Sequence, residues 1–393
     1  MFFKCDSGLF AQAVQIIERG VSQRSTLPVL GNILLEVGAD SKLTLSSNSL
    51  DLGMQMEIPV KTMKPGKILA PAKMISGIAA KLPEGELSLE VNPNQHIRIE
   101  VGSSKFLVHG LAASDFPELM YPKQAAHMEF PSETLSSVIK QTIFAVSADE
   151  SKPFLNGILF DISGSELRLV STDGYRLALR SEAFTSSAPL KAIIPTRTLN
   201  ELLKLVASFT SEETVLMELS GDLVLFKVAN VLLISRLIQG QFPDYRLVIP
   251  SQSDTKITLS RKLFLDAAER CAIVASSSSN ILNVELSGQQ LLLSASSPEI
   301  GDANEIVAVE AAGSTKQRVA FNAKLLLDVL RNVPDGDVQL ELSKKLSPGV
   351  LRPKGYEKNY LYIIMPIKTT EAVEVDPPSP AGYGETRREA VPA

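Results

Sequence analysis

Residues 154–180 read FLNGILFDISGSELRLVSTDGYRLALR and contain three short runs that are apolar or alternate between apolar and polar residues. The runs cover 157–161, 167–171 and 175–179, and Ser163-Gly164 and Asp173-Gly174 join them. An Asp-Gly pair between alternating hydrophobic residues is a strong hairpin signal, because the two-residue primed turn requires positive φ. The stretch therefore predicts a β-meander.

Similar stretches occur in each third of the chain, at 30–37 in the first third and at 281–286 in the last. Asn32, Gly157 and Asn283 occupy matching places and stand about 125 residues apart. A period of this length fits whole tandem domains rather than a solenoid of short repeats. At 393 residues, length alone suggests two or three domains, and the repeat favours three.

Each third also carries two helical apolar stripes with the spacing x, x+3, x+4, x+7. The six stripes begin at Phe10, Ile75, Leu135, Leu199, Phe264 and Leu326. Strand-like runs fill the space between the stripes, so each third predicts the order helix, strands, helix, strands. The expected fold class is α+β, with two helices packed on antiparallel sheet in each of three similar domains.

The turn-rich segments Ser114-Asp115-Phe116-Pro117 and Gln241-Phe242-Pro243-Asp244 occupy equivalent places and mark the joins. We expect domain 1 at residues 1–122, domain 2 at 127–252 and domain 3 at 253–370. Residues 371–393 are polar and rich in proline, with little to bury. This composition predicts a disordered C-terminal tail.

Composition excludes several classes of protein. No apolar run reaches about 18 residues and the first six residues do not resemble a signal peptide, so we expect a cytoplasmic protein without membrane contact. Cys5 and Cys271 are the only cysteines, which excludes a disulfide framework and favours two buried thiols. The net charge of −5 argues against a strongly basic field over the whole surface.

The charge on the predicted helices has the opposite sign. Twelve Lys and Arg lie on or beside these helices, against seven Asp and Glu. A moderately positive surface on helices would attract phosphates without reading bases. Ordinary solvated helix faces explain the same charges, so the charge pattern alone does not distinguish them from a surface that binds nucleic acid.

No catalytic or metal-binding constellation is present in the sequence. His96, His109 and His127 are scattered without metal-ligand spacing, and residues 64–67 lack the spacing of a phosphate-binding loop. Ser137 and Lys140 match the Ser-x-x-Lys motif of penicillin-recognising enzymes, but the partner motifs are missing. We therefore expect neither enzyme activity nor a cofactor.

Five motifs in order along the chain resemble those of the bacterial DNA sliding clamp, the beta subunit of DNA polymerase III. They are TLPVLGN at 26–32, FLNG at 154–157, STDGYRL at 171–177, QFPDYR at 241–246 and YIIMPI at 362–367. The resemblance covers residues 1 to about 370. It implies a processivity factor of DNA replication, a head-to-tail homodimer whose six domains close into a ring that encircles duplex DNA without sequence preference.

The resemblance also implies the residues of the subunit interface. Phe106 and Val108 of domain 1 are expected to face Ile273 and Val274 of domain 3 in the partner. The alternative is that all four residues belong to the cores of their own domains.

A peptide groove between domains 2 and 3 is a further implication of the resemblance. It would receive short hydrophobic motifs of the replicative polymerase, the clamp loader, repair polymerases and mismatch-repair proteins. The residues implied are Leu155, Thr172, Gly174, Tyr175, Arg176, Leu177, Pro243, Leu247, Val248, Ile363, Met365, Pro366 and Ile367. Arg176 is expected to hold a peptide carbonyl. Tyr175 and Leu247 stand where the family favours His and Arg, which predicts a more apolar groove mouth; core packing is the alternative for each residue.

For DNA, the resemblance implies contacts from Arg24, Lys73 and Arg197 on the inner surface. Pro153 and Phe154 replace a pair of tyrosines, so we expect little direct duplex contact from that loop. Weak contacts suit a clamp that is trapped on DNA by topology. Two alternatives remain from the sequence, an enzyme with an unrecognised site and a repeat-built peptide-binding scaffold that does not encircle DNA.

Overall fold

The computed structural model describes residues 1–22, 27–123, 125–184, 189–209, 214–277, 279–343 and 347–368. Two helices lie in each third of the chain, in the places that the apolar stripes predict. The helices are α1 Ser7–Glu18, α2 Ala72–Ala79, α3 Ser132–Ile143, α4 Thr196–Ser208, α5 Arg261–Ala275 and α6 Ala323–Asn332. The stripe residues Phe10, Phe264 and Leu326 are fully buried. The helix predictions are therefore confirmed.

The strands of each third follow the same order around its two helices. Domain 1 contains β1 Phe2–Asp6, β2 Asn32–Val37, β3 Lys42–Asn48, β4 Leu52–Pro59, β5 Lys61–Lys64, β6 Gly66–Pro71, β7 Glu86–Val91, β8 His96–Val101 and β9 Ser104–His109. Domain 2 contains β10 Ala126–Pro131, β11 Gly157–Ser163, β12 Glu166–Thr172, β13 Arg176–Ala183, β14 Leu190–Pro195, β15 Thr214–Ser220, β16 Leu223–Val228 and β17 Val231–Arg236. Domain 3 contains β18 Thr255–Ser260, β19 Ile281–Ser287, β20 Gln290–Ser297, β21 Gly301–Ala308, β22 Glu310–Gly313, β23 Lys316–Asn322, β24 Asp337–Leu342, β25 Gly349–Pro353 and β26 Tyr360–Ile364.

The quoted stretch forms the predicted meander of β11, β12 and β13, in which consecutive strands pair antiparallel. Gly164 and Gly174 take φ values of +63° and +91° at its two turns. A side chain would be strained in this region of backbone conformation, which explains the two glycines.

Two of the four sheets cross a domain boundary. In the eight-stranded sheet, with order β10-β15-β16-β17-β4-β3-β2-β6, β17 of domain 2 pairs with β4 of domain 1. In the nine-stranded sheet, with order β14-β11-β12-β13-β26-β25-β24-β18-β22, β13 of domain 2 pairs with β26 of domain 3. We call these pairings the first joint and the second joint.

The other two sheets lie at the two ends of the tandem array. Domain 1 contributes a five-stranded sheet, β5-β1-β7-β8-β9, and domain 3 a four-stranded sheet, β21-β20-β19-β23. In the repeat, β9 corresponds to β17 and β26, whereas β21 corresponds to β4 and β13. Among the described residues, β9 pairs only with β8 and β21 only with β20, so each has an open edge where its counterparts form the two joints.

The chain leaves each domain through an equivalent backbone contact with the edge strand of that domain. The three hydrogen bonds run from Leu111 N to Leu69 O (2.9 Å), from Ile238 N to Ile193 O (2.9 Å) and from Ile367 N to Ala320 O (2.8 Å). The residues that follow form the linker to domain 2, the linker to domain 3 and the C-terminal segment. These contacts give reference points for comparing the three thirds.

Cys5 and Cys271 are buried, as predicted, and burial raises the pKa of their thiols to about 12 and about 11. No helix in the described part of the chain has both the length and the apolar character needed to span a membrane. The tail predicted at 371–393 and the predicted DNA contact Arg24 lie outside the described residues.

Candidate functional site

An apolar cluster covers the second joint on the sheet face that points away from the helices, which we call the open face. Leu177 and Leu179 of β13 lie opposite Ile363 and Leu361 of β26 in the antiparallel register. All four side chains are at most 7% exposed. Their sequence neighbours, such as Ala178, pack into the helix-side core instead, as the two-residue period of a strand requires.

The linker from domain 2 to domain 3 forms one wall of this cluster. Tyr245, in the 3₁₀ turn Tyr245–Val248, is buried in the cluster, and its hydroxyl donates to Asp161 Oδ2 at 3.0 Å. Asp244 caps the same turn by accepting from Arg246 N at 3.2 Å. Because Tyr245 is fixed inward, Leu247 is left 84% exposed beside the apolar cluster.

The Asp173-Gly174 turn forms the rim of the same surface. Asp173 Oδ1 accepts from the backbone N–H groups of Tyr175 and Arg176, each at 2.9 Å, and Thr172 Oγ1 accepts from Gly174 N at 3.1 Å. Met365 N donates to Tyr175 O at 2.9 Å, which links this rim to the end of β26. The turn thus holds Tyr175 outward, with 70% of its surface exposed.

The predicted groove residues divide between this surface and its supports. Tyr175, Leu247, Val248 and Met365 are exposed apolar residues, and Leu177 and Ile363 form the floor. The remaining predicted residues on or near it are Leu155 (buried), Thr172 and Pro366 (half-buried), and Gly174 and Pro243 (exposed). Ile367 is half-buried and makes the contact to domain 3 described above. Exposed apolar side chains beside a buried apolar cluster suit an extended hydrophobic peptide.

Arg176 makes contacts within the protein that the resemblance does not imply. Its guanidinium donates from Nε to Asp173 Oδ2 at 3.1 Å, from Nη1 to Asp328 Oδ2 at 2.6 Å and from Nη2 to Phe144 O at 2.6 Å. Burial opposes its charged form, but Tyr362, Asp328 and Asp173 together raise the pKa of Arg176. Arg176 therefore ties domain 2 to α6 of domain 3.

Asp161 is a feature that the sequence did not single out. It is fully buried on the open face of β11, and its Oδ2 is near Arg246 Nη2 (3.3 Å) and Lys191 Nζ (3.7 Å). A cavity of about 420 Å³ lies under the linker beside this cluster, with Lys191 and Arg246 among its lining residues. The only sequence signal was a carboxylate within an otherwise buried apolar run.

The predicted interface residues lie at the unpaired ends of the array. Ile273 is 68% exposed, Val274 is half-buried, Phe106 is 37% exposed and Val108 is buried against the domain 1 core. The second joint shows which contacts such positions can make. Thr142 in α3 and Cys271 in α5 are equivalent, because each lies seven residues after the start of its apolar stripe. Phe144 and Ile273 each follow two residues later, so they are equivalent as well.

The strand positions correspond in the same way. Tyr362 lies five residues before Ile367, and Phe106 lies five residues before Leu111. At the second joint, the rings of Phe144 and Tyr362 stack with centroids 5.2 Å apart and planes 7° from parallel. Phe106 in domain 1 is therefore equivalent to Tyr362, and Ile273 in domain 3 is equivalent to Phe144. The two equivalents contact each other at the second joint.

Equivalent basic residues lie in the first turn of the second helix of each domain. Lys73 and Arg197, both predicted, are exposed second residues of α2 and α4, and Lys324 is the exposed second residue of α6. Arg197 Nη1 also donates to Ser49 Oγ at 3.3 Å. Lys324 was not predicted as a site residue, although the repeat would have identified it.

Models of the three domains of the DNA polymerase III beta subunit match successive parts of the chain. The N-terminal domain matches residues 1–120, the central domain 129–244 and the C-terminal domain 246–368. The beta sliding clamp of Synechocystis is 32% identical over 386 residues, with 93% of this chain and 98% of that protein covered. The chain belongs to the DNA polymerase III beta subunit family.

Other sliding clamps agree over the same length. The Bacillus subtilis beta sliding clamp is 30% identical over 383 residues, with 94% of this chain and all of the relative covered. The crystal structure of the B. subtilis sliding clamp gives a TM-score of 0.89 at 28% identity and covers 94% of this chain and 99% of that one. A Pseudomonas aeruginosa sliding clamp bound to griselimycin gives 0.88 at 28% identity, covering 94% and 100%.

Membership of the sliding clamp family confirms the predicted three-domain clamp fold. It also makes this chain a processivity factor of DNA replication, a role that is not catalytic, with DNA, a DNA polymerase and a second copy of itself as partners.

Proposed function

We propose that two copies of this sliding clamp join head to tail, β9 of one copy beside β21 of the other, and that the resulting six-domain ring encircles duplex DNA. The observation that carries this proposal is the open edge of each of these two strands, at opposite ends of the array. Each is the counterpart of a strand that forms a joint within the chain. A heterologous contact of this kind closes into a ring when the rotation per domain fits.

The strand numbers support closure. Joining the five-stranded sheet of domain 1 to the four-stranded sheet of domain 3 gives nine strands, the same number as in the sheet at the second joint. Closure also removes two exposed sheet edges, which favour unwanted association if left open. In this arrangement Ile273 packs against the partner's Phe106, as Phe144 packs against Tyr362.

The basic residues Lys73, Arg197 and Lys324 support a DNA-facing role for the helices. Each lies in the first turn of its helix, so two copies present six such cations in equivalent places. Contacts of this type attract phosphates without specifying bases. A closed ring holds DNA by topology, so these contacts need not be tight.

The open face of the second joint supports a peptide groove with Leu177 and Ile363 as floor and Tyr175, Leu247, Val248 and Met365 around it. We infer that it receives short hydrophobic motifs of the replicative polymerase, the clamp loader, repair polymerases and mismatch-repair proteins. Aliphatic and Met side chains suit such a site because they adapt to different apolar partners. With these partners, we infer that the protein acts in the cytoplasm without membrane contact.

Encirclement is tested by loading the protein onto circular and linear duplexes with a clamp loader. We expect retention on circular DNA at moderate salt and rapid loss after linearisation, because a ring slides off a free end. Release at equal rates from both duplexes would contradict encirclement and would favour a peptide-binding scaffold that does not enclose DNA.

Dimer closure is tested with Ile273→Glu, which places a charge at the proposed joint, and with the matched control Leu263→Glu. Leu263 is 55% exposed in the same helix but lies in its first turn. We expect sedimentation to show a monomer for the first variant and a dimer for the control. An unchanged dimer with Ile273→Glu would remove Ile273 from the interface.

A further inference from the structure

The linker from domain 2 to domain 3 is fastened to the rest of the protein at both of its ends. Ile238 N donates to Ile193 O at 2.9 Å where the linker begins, and Asp254 N donates to Leu342 O at 3.0 Å where it ends. A cavity of about 420 Å³ separates part of the stretch between these points from the sheet. A cavity provides no packing from below, so the position of this stretch depends on the contacts of individual side chains.

The hydroxyl of Tyr245 makes such a contact in the middle of the linker. It donates to Oδ2 of Asp161, which is fully buried, at 3.0 Å. The guanidinium of Arg246 lies over the Tyr245 ring, 5.2 Å from its centroid, and Arg246 Nη2 is 3.3 Å from the same carboxylate oxygen. Burial and the hydrogen bond to Asp161 raise the pKa of Tyr245, so the phenol keeps its proton at neutral pH. We call this contact the Tyr245–Asp161 latch.

The strands around Asp161 hold its carboxylate in place. Asp161 of β11 lies opposite Arg168 of β12 and Lys191 of β14. These cations offset part of the cost of burying a negative charge. Even so, Asp161 Oδ1 is buried without a hydrogen-bond partner among the described residues. A buried oxygen of this kind is costly, so stability alone does not account for a carboxylate at this position.

Domain 1 shows the same sheet position without a latch. Glu36 of β2 is the counterpart of Asp161, because it lies four residues after Asn32, as Asp161 lies four residues after Gly157. Glu36 is exposed, whereas Asp161 is fully buried.

The two linkers explain this difference in burial. Leu119 in the first linker is the counterpart of Tyr245 in the second, because each lies two residues after the proline of a Phe-Pro pair. Leu119 packs against β4 at Gly53 and has no hydroxyl group to donate to Glu36. The hydrogen bond from linker to carboxylate is therefore a specific feature of the second linker.

We propose that the Tyr245–Asp161 latch positions the linker wall of the peptide groove, by fixing the turn Tyr245–Val248 so that Leu247 faces a bound peptide. This inference rests on the proposed groove. The hydroxyl of Tyr245 ends on β11, two strands away from Leu177 of β13, so the latch acts through the linker and not through contact with the peptide. Without the latch the turn samples other positions, and the apparent affinity falls with the fraction of molecules in the competent one.

The first test is Tyr245→Phe, which removes the hydroxyl and keeps the buried ring. We expect the dissociation constant of a labelled synthetic hydrophobic clamp-binding peptide, measured by fluorescence anisotropy, to rise about fivefold. Tyr121→Phe is the matched control, because it removes a hydrogen-bonded hydroxyl from the first linker, and it should leave the affinity unchanged. Equal affinity of Tyr245→Phe and the parent would overturn the proposal.

A double-mutant cycle separates positioning from a general loss of stability. Leu247→Ala is expected to weaken the peptide about threefold in the parent, through lost apolar contact, but to have a much smaller effect in the Tyr245→Phe background. Met365→Ala, at the end of β26, should weaken the peptide by the same factor in both backgrounds, because the strand and not the linker holds Met365. Equal effects of Leu247→Ala in the two backgrounds would overturn the proposal.

The carboxylate is tested by two substitutions. Asp161→Ala removes the acceptor and should lower the affinity as much as Tyr245→Phe does, whereas Asp161→Asn keeps an acceptor oxygen and should retain most of the affinity. An Asp161→Asn variant as weak as Asp161→Ala would contradict the latch. If Asp161→Ala does not fold, the result with Tyr245→Phe decides.

Failure of the latch and failure of the groove give different results. If Leu247→Ala and Met365→Ala both leave the affinity of the parent unchanged, the peptide does not bind in the groove, and the latch proposal fails with it. If both weaken the peptide while Tyr245→Phe does not, the groove stands and only the latch is overturned.

Discussion

The first and second joints are built from equivalent strands, yet their linkers cover different residues on the open faces. At the first joint, the open face of β4 presents Gly53 and Gln55, Leu119 of the linker packs over Gly53, and Tyr121 donates to Gln55. A cavity of about 350 Å³ remains between this linker and the joint, with Ile234 among its lining residues. At the second joint, the open face of β13 carries Leu177 and Leu179, which are buried in one cluster with Tyr245 of the linker.

The two joints also differ in how the domains are tied together. Arg176 makes three hydrogen bonds at the second joint, one of them to Asp328 of domain 3. At the first joint, Arg236 makes an exposed ion pair with Asp222 of its own domain, at 2.9 Å. Strand pairing therefore sets the frame of both joints, and a few side chains decide how tightly each pair of domains is tied together.

The largest effect is expected from Arg176→Ala. This change removes the guanidinium that donates hydrogen bonds to Asp173, Asp328 and the Phe144 carbonyl. We expect the free energy of unfolding to fall by about 2–3 kcal/mol, because these acceptors lose a partner. The measurement is chemical denaturation of the purified protein. Arg236→Ala at the first joint is the control and should cost less than about 1 kcal/mol, because both partners are partly solvated. Similar losses in the two variants would show that Arg176 does not hold the second joint.

Met365→Ala is expected to weaken binding of a synthetic hydrophobic clamp-binding peptide about tenfold, or about 1.4 kcal/mol. The physical reason is the loss of apolar contact at the mouth of the groove. Fluorescence anisotropy of a labelled peptide gives the affinity. Met120→Ala, at the first joint, removes a Met of similar exposure and should leave the affinity unchanged. If the peptide binds the Met365→Ala and Met120→Ala variants with equal affinity, it does not bind at the second joint.

The smallest effect concerns one tyrosine at each joint. Tyr362 OH at the second joint is buried and has no hydrogen-bond partner among the described residues, whereas Tyr121 OH at the first joint donates to Gln55. A buried hydroxyl without a partner is costly, so Tyr362→Phe is expected to raise the free energy of unfolding by about 1 kcal/mol at neutral pH. Tyr121→Phe should be neutral or slightly destabilising.

The same pair gives a pH dependence. The pKa values of Tyr121 and Tyr362 are both raised above the usual value of a tyrosine, and burial is the main cause in each case. Their contribution to stability is therefore present below about pH 10 and is lost as pH rises through the raised pKa. Thermal denaturation between pH 8 and 11 should show a smaller alkaline loss in Tyr362→Phe than in the parent. An identical pH profile would mean that Tyr362 is solvated.

Local patterns in the sequence predicted most of the elements. The Asp-Gly turn at 173–174 and the alternation around it predicted the meander, and the stripe that begins at Phe264 predicted α5. These signals depend on residues close together in the chain, since turn geometry and the helical period are local properties. The roles of individual site residues were harder to predict from the sequence. Arg176 follows a turn on the surface, and only the packing of domain 3 beside it shows that its guanidinium is used internally.

The sequence by itself determined that an α+β unit is repeated three times, and its motifs indicated a sliding clamp. These features depend on repeats, periodicity and turn residues, which can be recognised from the order of residues along the chain. The tertiary structure alone decided that β4 pairs with β17 and β13 with β26, and hence that, in the described part of the chain, their counterparts β9 and β21 each keep an open edge. The physical reason is that an edge strand carries the same backbone donors and acceptors whatever strand it meets, so the choice of partner depends on how whole domains pack.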